Sequence, residues 1–205
     1  MDVTDNGDIS KSIVVDLEKI ARETLLVDPL TQLVSYDSMA NFIKRRLSRK
    51  DLDPCFLAIG DVDGLREYVS SCNNASNDMF GHLAGNHCMK LVGKTVAEWQ
   101  ARQDPASVWL SGTFGGDEVI IFSQGGHYSD FINRVRELSC DIARTCPRPC
   151  SFAGSEYSPT GTNHDNPEAA YRAWVSRVDR TLFEAKSKRT KIEDEGFVIT
   201  CSGKP

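Results

Sequence analysis

The chain has 205 residues, of which 40% are hydrophobic and 26% are charged, so it can bury a sizeable core and is not a disordered sequence. Its formal charge of -5 excludes the overall basic field that nucleic-acid-binding proteins show. No apolar run approaches the ~20 residues that span a bilayer, and the acidic, polar N-terminus is not a signal peptide. We therefore expect a cytoplasmic protein with reduced cysteines, no membrane span and no nucleic-acid partner.

The first 27 residues predict a tail and a helix that precede the main domain, 28–205. Apolar residues between Ile9 and Val27 recur at alternating steps of four and three, which gives a heptad-like stripe. The stripe favours two structures equally, a helix packed on its own domain or a short dimerising stalk. Two heptads do not decide between them.

The elements that follow alternate between helices and strands. Asp28-Pro29 ends the first helix, and a second helix is predicted from Asp37 to Ser48. The apolar run Cys55–Gly60 predicts a buried strand, the polar stretch Ser70–Asn77 a loop, and Leu83–Trp99 a helix.

The second half of the chain contains a predicted β-hairpin. Two strands, Ser107–Leu110 and Glu118–Phe122, flank the pair Gly115-Gly116. The predicted elements after it are a helix through Phe131 and Ile142, a strand Cys150–Tyr157, a loop Ser158–Asn166, a helix from Tyr171 past Leu182, and a strand Phe197–Cys201. This pattern predicts an α/β (α+β) sandwich, a mixed central β-sheet with a hairpin, flanked by helices.

Two acidic pairs carry the chemistry. Asp61 and Asp63 follow the buried strand, and Asp117 and Glu118 lie in the hairpin. Carboxylates on a strand and a neighbouring hairpin are hard ligands of the kind that Mg²⁺ takes together with phosphate oxygens. Two ions about 4 Å apart would activate a hydroxyl and stabilise a leaving pyrophosphate. On spacing alone, an Asp-x-Asp after a strand is a solvated loop more often than a ligand set.

Six segments resemble, in order, the motifs of the GGDEF family of diguanylate cyclases. They are 28–31 (D-x-L-T), 61–63 (D-x-D), 77–86 (N-D-x-x-G-H-x-x-G-D), 115–119 (GGDEF, here GGDEV), 151–154 (S-x-G) and 179–186 (D-x-A-L-Y-x-A-K). The resemblance runs from Asp28 to about Lys191. It implies a palm-type nucleotidyl-cyclase fold.

The resemblance also implies the activity. Members of the family condense two GTP into cyclic di-GMP and release two pyrophosphates. The phosphoryl transfer uses two metal ions, Mg²⁺ or Mn²⁺, and takes place across a homodimer. The matching metal ligands are Asp61, the backbone carbonyl of Val62, Asp117 and Glu118, and the matching catalytic acids are Asp61, Asp117 and Glu118. An upstream sensor or a regulatory protein is expected as a further partner.

The residues that match substrate contacts form a larger set. They are Asn77 and Asn86 for the base, Gly115 and Gly116 against the nucleotide, and Arg66, Lys186 and Arg189 for the triphosphate. The paired glycines have a physical reason, since a backbone that lies against a base or ribose has no room for a Cβ.

Four departures from the family pattern concern specificity and control. Asn86 replaces the family's guanine-reading Asp, and an Asn amide suits an adenine edge at least as well. An insertion, 69–76, is expected to bulge near the base pocket. Thr113 replaces an Arg, and Ala106 and Trp109 replace the R-x-x-D product site, so feedback through that site is not expected.

These departures leave two alternatives beside the diguanylate cyclase. Asn86 favours a cyclic dinucleotide synthase of the same fold that uses ATP or mixed nucleotides. The missing Arg and the insertion favour a degenerate, catalytically inactive domain that binds a nucleotide or a partner. The acids that match the family's metal ligands, Asp61, Asp117 and Glu118, favour an active enzyme.

Overall fold

Five strands and five helices form the part of the chain that the computed structural model describes, residues 25–49, 53–73, 79–157, 166–189 and 196–201. The strands are β1 Cys55–Val62, β2 Val108–Thr113, β3 Glu118–Gln124, β4 Cys150–Glu156 and β5 Val198–Thr200. The helices are α1 Tyr36–Leu47, α2 Leu65–Cys72, α3 Met79–Gln100, α4 Tyr128–Thr145 and α5 Pro167–Ser187.

The strands form one mixed sheet in the order β2-β3-β1-β4-β5. The pairs β2–β3, β3–β1 and β1–β4 are antiparallel, and β4–β5 is parallel. β1 lies at the centre because the run Cys55–Gly60 is apolar on both faces and is buried along its whole length. The predicted α+β sandwich with a mixed sheet and a hairpin is confirmed.

Each face of the sheet has its own hydrophobic core. On one face, Phe56 and Ala58 of β1 pack with apolar residues of α3 and α4, such as Val92 and Phe131. On the other face, Leu57 and its alternate neighbours pack with α1 and α5. Alternate residues of β1 point to opposite faces of the sheet and pack against the apolar stripes of the helices there. This packing fixes the position of the end of β1.

The turn after Asp28 joins the N-terminal segment to the sheet. The Asp28 carboxylate accepts hydrogen bonds from the backbone N–H and the hydroxyl of Thr31, at 2.7 and 2.8 Å. Val34 then covers the edge of β2, since its N–H bonds to the Ser111 carbonyl at 3.2 Å and its carbonyl to the Thr113 N–H at 2.9 Å. An exposed strand edge is thereby protected from pairing with another chain.

Three predicted boundaries need correction. Val27 is not helical, because the Asp28 turn brings it back into an antiparallel bridge with Val34; the rest of the predicted first helix, 9–24, lies outside the described residues. The predicted loop 70–77 is helical up to Cys72. Strand β1 continues through Val62, so Asp61 belongs to the strand rather than following it.

Two further observations concern the rest of the chain. The predicted loop 158–166 lies outside the described residues except for Asn166, which caps α5 through its side chain. None of the helices in the described ranges is long and apolar enough to cross a membrane.

Candidate active site

The central strand and the hairpin bring the predicted acids to one end of the sheet. Asp61 on β1 lies directly opposite Glu118 on β3. On its other side it lies opposite Ser151 on β4. The Val62 N–H donates to the Asp117 carbonyl at 3.2 Å, which ties the hairpin turn to the end of β1. Local pairing therefore places Asp61, Asp117 and Glu118 around one space.

The electrostatics of these carboxyl groups show that they share that space. Burial, and then the negative charges of Asp61, Asp179 and Asp117, raise the pKa of Glu118 to about 7. Burial also raises the pKa of Asp61, with a smaller contribution from Asp117, while the Lys186 ammonium opposes the shift. Carboxyl groups that raise each other's pKa bind cations favourably.

The two glycines of the hairpin turn have different surroundings. A Cβ on Gly115 would lie 2.3 Å from Glu118 Oε2, so a side chain there would displace the Glu118 carboxylate. A Cβ on Gly116 would meet nothing within 4 Å. Neither has a φ in the left-handed region, so turn geometry alone does not require glycine at these positions.

Asp63 has a different environment from Asp61, although only one residue separates them. Its side chain is buried and forms ion pairs with Lys186 at 2.9 Å and with Arg189 at 3.1 Å. The Ser151 hydroxyl also donates to it. The second acid of D-x-D is therefore neutralised inside the domain and is not part of the group around Glu118.

Lys186 and Arg189 lie at the end of α5, where the sequence predicts triphosphate contacts. The Lys186 ammonium lies between Asp61 and Asp63 and forms ion pairs with both. The Arg189 guanidinium pairs with Asp63 and lies over the Phe197 ring at 4.6 Å. In this structure both cations are thus bound to acids of the D-x-D segment.

The residues predicted to read the base lie on or before α3. Asn86 is exposed on α3. Arg66, predicted to contact the triphosphate rather than the base, is exposed on the first turn of α2. Asn77 lies outside the described residues. The role of each in binding stays a prediction.

Asn73 is a positioning residue that the motifs do not indicate. Its side-chain oxygen accepts a hydrogen bond from the Gly81 N–H at 2.7 Å, and a Cβ on Gly81 would lie 2.2 Å from the same oxygen. Gly81 belongs to the first turn of α3, where backbone N–H groups have no partner within the helix. The start of the 69–76 insertion therefore extends α2 as far as Cys72, and Asn73 caps the helix that carries Asn86. Residues 74–76 lie outside the described residues, so the bulge expected there stays a prediction.

The donor chemistry of the site fits a divalent cation. Asp61, Asp117, Glu118 and the Val62 carbonyl offer the hard oxygens that Mg²⁺ and Mn²⁺ prefer. Within the described ranges, no three Asp, Glu, His or Cys side chains are already grouped as a ligand set. Mg²⁺ is commonly held by one or two carboxylates together with substrate phosphates, so such a group is not a requirement.

The fold defines the structural class, an α+β domain with a mixed five-stranded sheet flanked by helices. A sequence model described as "Diguanylate cyclase, GGDEF domain" matches residues 25–191. The chain therefore belongs to the GGDEF domain family of diguanylate cyclases.

A characterised relative of the chain is the diguanylate cyclase DgcP of Pseudomonas aeruginosa. The two are 26% identical over 178 residues, which cover 84% of this chain and 24% of DgcP. The chain thus spans about a quarter of the length of this relative.

Solved structures share the fold. Diguanylate cyclase SiaD of Pseudomonas aeruginosa, in complex with its activator SiaC, superposes with a TM-score of 0.67 at 19% identity, over 94% of this chain and 68% of SiaD. The GGDEF domain of DgcB from Caulobacter crescentus, in complex with c-di-GMP, gives 0.62 at 16% identity, over 86% and 96%. At these identities the likeness establishes the architecture.

Proposed function

We propose that this domain is a diguanylate cyclase that condenses two GTP into cyclic di-GMP and releases two pyrophosphates. The observation that carries the proposal is the position of Glu118. It lies opposite Asp61 across the central strands, with a pKa that burial and neighbouring acids raise to about 7. A structural surface acid has no need of such an environment, whereas a site for a metal-bound triphosphate does.

The roles of the residues follow from their places. Asp61, Asp117, Glu118 and the Val62 carbonyl would hold divalent cations, which would neutralise the triphosphate and activate the attacking 3′-hydroxyl. Lys186 would contact the phosphates, because its ammonium already lies beside Asp61. The open backbone at Gly116 would let the nucleotide approach closely.

The reaction needs two copies of the domain. One site would hold one triphosphate, so each 3′-hydroxyl would attack the α-phosphate held by a facing copy. The protein then acts mainly by positioning and charge neutralisation. A protein that brings copies together would control the rate. The cyclase SiaD, which shares the fold, is bound by an activator, and this supports a regulatory protein as a further partner.

Base choice is the second question about the site. Asn86 is exposed on α3. The resemblance of segment 77–86 to the family motif places the base-reading residue at this position. An Asn amide offers one acceptor and one donor group, which matches the N6 donor and N1 acceptor of adenine. A synthase of the same fold that uses ATP or a GTP–ATP pair is therefore the alternative function.

Product identification separates these functions. The purified protein would be incubated with GTP, ATP and both together, with Mg²⁺ or Mn²⁺, and the products identified by mass spectrometry. Cyclic di-GMP from GTP alone supports the proposal, and a product that requires ATP supports the alternative. The absence of any dinucleotide at high protein concentration would instead favour an inactive, binding domain.

A pair of variants controls this assay. Asp117→Ala should abolish turnover and leave the circular dichroism spectrum unchanged. Asp130→Ala removes an exposed acid from the first turn of α4, which follows β3 at the opposite end of the sheet from Asp61. It should keep full activity. Undiminished product from Asp117→Ala would refute its assigned role.

A further inference from the structure

Asp63 has no role in the proposed reaction, yet it is a deeply buried charge beside the site. It is 1% exposed, and its carboxylate is shared between the Lys186 ammonium and the Arg189 guanidinium, at 2.9 and 3.1 Å. The Ser151 hydroxyl donates to the oxygen that faces Arg189. A buried carboxylate of this kind is costly unless its partners stay in place.

The surrounding backbone fixes Asp63. Its N–H donates to the Pro149 carbonyl at 2.8 Å, and its carbonyl accepts from Arg148 Nε at 2.8 Å. Phe197, the residue before β5, completes the arrangement, because its N–H donates to Ser151 Oγ at 3.1 Å. Three segments of the chain thus fix Asp63 in one orientation: 148–151, 186–189 and Phe197.

Lys186 differs from Arg189 because it has two acidic partners. Its ammonium pairs with Asp63 and also with Asp61, whose carbonyl it approaches at 3.4 Å. A divalent cation that binds Asp61 must compete with this ammonium. When the cation takes Asp61, the ammonium retains a fixed partner in Asp63.

We propose that Asp63 and Arg189 form a positioning pair that keeps the Lys186 ammonium in the site while a divalent cation displaces it from Asp61. In this arrangement Arg189 is the counter-ion of Asp63, and a triphosphate contact by Arg189 is not needed. The inference rests on the proposed function only in that Asp61 is the residue that receives the cation.

The test is Mn²⁺ binding to the metal-free protein, without nucleotide, by isothermal titration calorimetry. Lys186→Met removes the competing ammonium and should tighten Mn²⁺ binding by about fivefold or more, the effect of roughly 1 kcal/mol. The double variant Asp63→Asn/Arg189→Gln removes one negative and one positive charge, so the net charge stays the same. It leaves Lys186 with Asp61 alone and should weaken Mn²⁺ binding by a similar factor.

The decisive comparison places the double variant in the Lys186→Met background. The positioning pair acts only through Lys186, so the weakening should disappear there, as a double-mutant cycle measures. Equal weakening with and without Lys186 would overturn the proposal, because Asp63 would then act on the cation directly. No weakening in either background would overturn it as well.

Two controls separate the effects on Mn²⁺ binding from effects on stability and on activity. Removing both members of the buried pair avoids an unpaired charge, and thermal unfolding of each variant verifies that it is folded. The Mn²⁺ titrations contain no nucleotide, so they do not depend on turnover. If they give the expected pattern while the separate activity assay gives no dinucleotide, the proposed function alone is overturned. Dinucleotide synthesis without the Lys186-dependent pattern would overturn the positioning pair alone.

Discussion

Glu118 shows how a single residue relates stability to function in this domain. Its pKa is raised from 4.5 to about 7, first by burial and then by the charges of Asp61, Asp179 and Asp117. The folded state therefore binds a proton at Glu118 more tightly than the unfolded state does. Between pH 4.5 and 7 this contribution to the free energy of unfolding falls as the pH rises.

Glu118→Gln should accordingly stabilise the domain at alkaline pH. The neutral amide keeps the shape of the side chain and removes the charge repulsion, so we expect the melting temperature at pH 8 to rise by about 2–6 °C. The gain should shrink as the pH falls toward 5, where the native carboxyl is protonated in the folded state. Thermal unfolding without divalent cations measures both values.

A surface variant provides the control for this experiment. Glu137→Gln changes an exposed acid on α4 and should move the melting temperature little at either pH. A lower melting temperature of Glu118→Gln at pH 8 would contradict the assigned electrostatics.

Asn86 allows a prediction about base choice. Asp accepts hydrogen bonds from both N1–H and N2–H₂ of guanine, and Asn cannot. Asn86→Asp should therefore raise the ratio of kcat/KM for GTP over ATP by about tenfold or more, as expected when one bidentate base contact is gained. Initial rates with each nucleotide give the ratio.

A matched change elsewhere tests whether the effect is local. Asn133→Asp makes the same substitution on α4, where Asn133 accepts a hydrogen bond from Arg136. It should leave the nucleotide ratio unchanged. An unchanged ratio in Asn86→Asp would mean that this residue does not read the base.

At the scale of elements, the packing of α2 against α3 gives a testable structural claim. Asn73 caps the first turn of α3 through the Gly81 N–H. Asn73→Ala should cost about 1 kcal/mol in the free energy of unfolding, as for the loss of a helix cap. It should also speed hydrogen exchange in the first turn of α3, which mass spectrometry of peptides resolves.

The conservative variant distinguishes the cap from general packing. Asn73→Asp keeps an acceptor oxygen and adds a charge that favours a helix N-terminus. It should retain the stability and the exchange protection. Equal exchange in Asn73→Ala and the native protein would rule out the cap.

The elements that the sequence predicts well are those with a clear hydrophobic period. Strand β1 follows from an apolar run that is buried on both faces of the sheet. The long helices follow from apolar stripes, because each has one buried face, and the hairpin follows from two strands on either side of a glycine pair. The sequence predicts a loop at the end of α2 because Ser70, Ser71 and Asn73 are typical loop residues. Its helical form depends on packing against glycines of α3, which no local pattern contains.

The candidate site is predictable in part for a similar reason. Asp61 and Glu118 are placed by the pairing of β1 with β3. The sequence predicts the two strands that carry these acids, but the register that sets them opposite each other is seen only in the structure. The partners of Asp63 are not predictable in this way. Arg189 and Ser151 reach it from α5 and β4, across large distances in the sequence, and only the assembled sheet brings them together.

At the scale of the whole molecule, the architecture separates stability from chemistry. Two hydrophobic cores lie on the two faces of the sheet, and the acids lie at one end of its central strand. The proposed reaction would join two triphosphates, one held by each copy of the domain, and would therefore require a second copy. Whether residues 1–27 form a stalk that pairs the copies stays a prediction.

A dilution series of the purified protein in GTP and Mn²⁺, followed by mass spectrometry, tests the account most directly. We expect cyclic di-GMP, with a rate per protein molecule that rises with protein concentration until the copies are paired. A rate per molecule that does not depend on concentration would contradict the reaction between facing copies. The absence of a cyclic dinucleotide at the highest concentration would contradict the catalytic role of Asp61, Asp117 and Glu118.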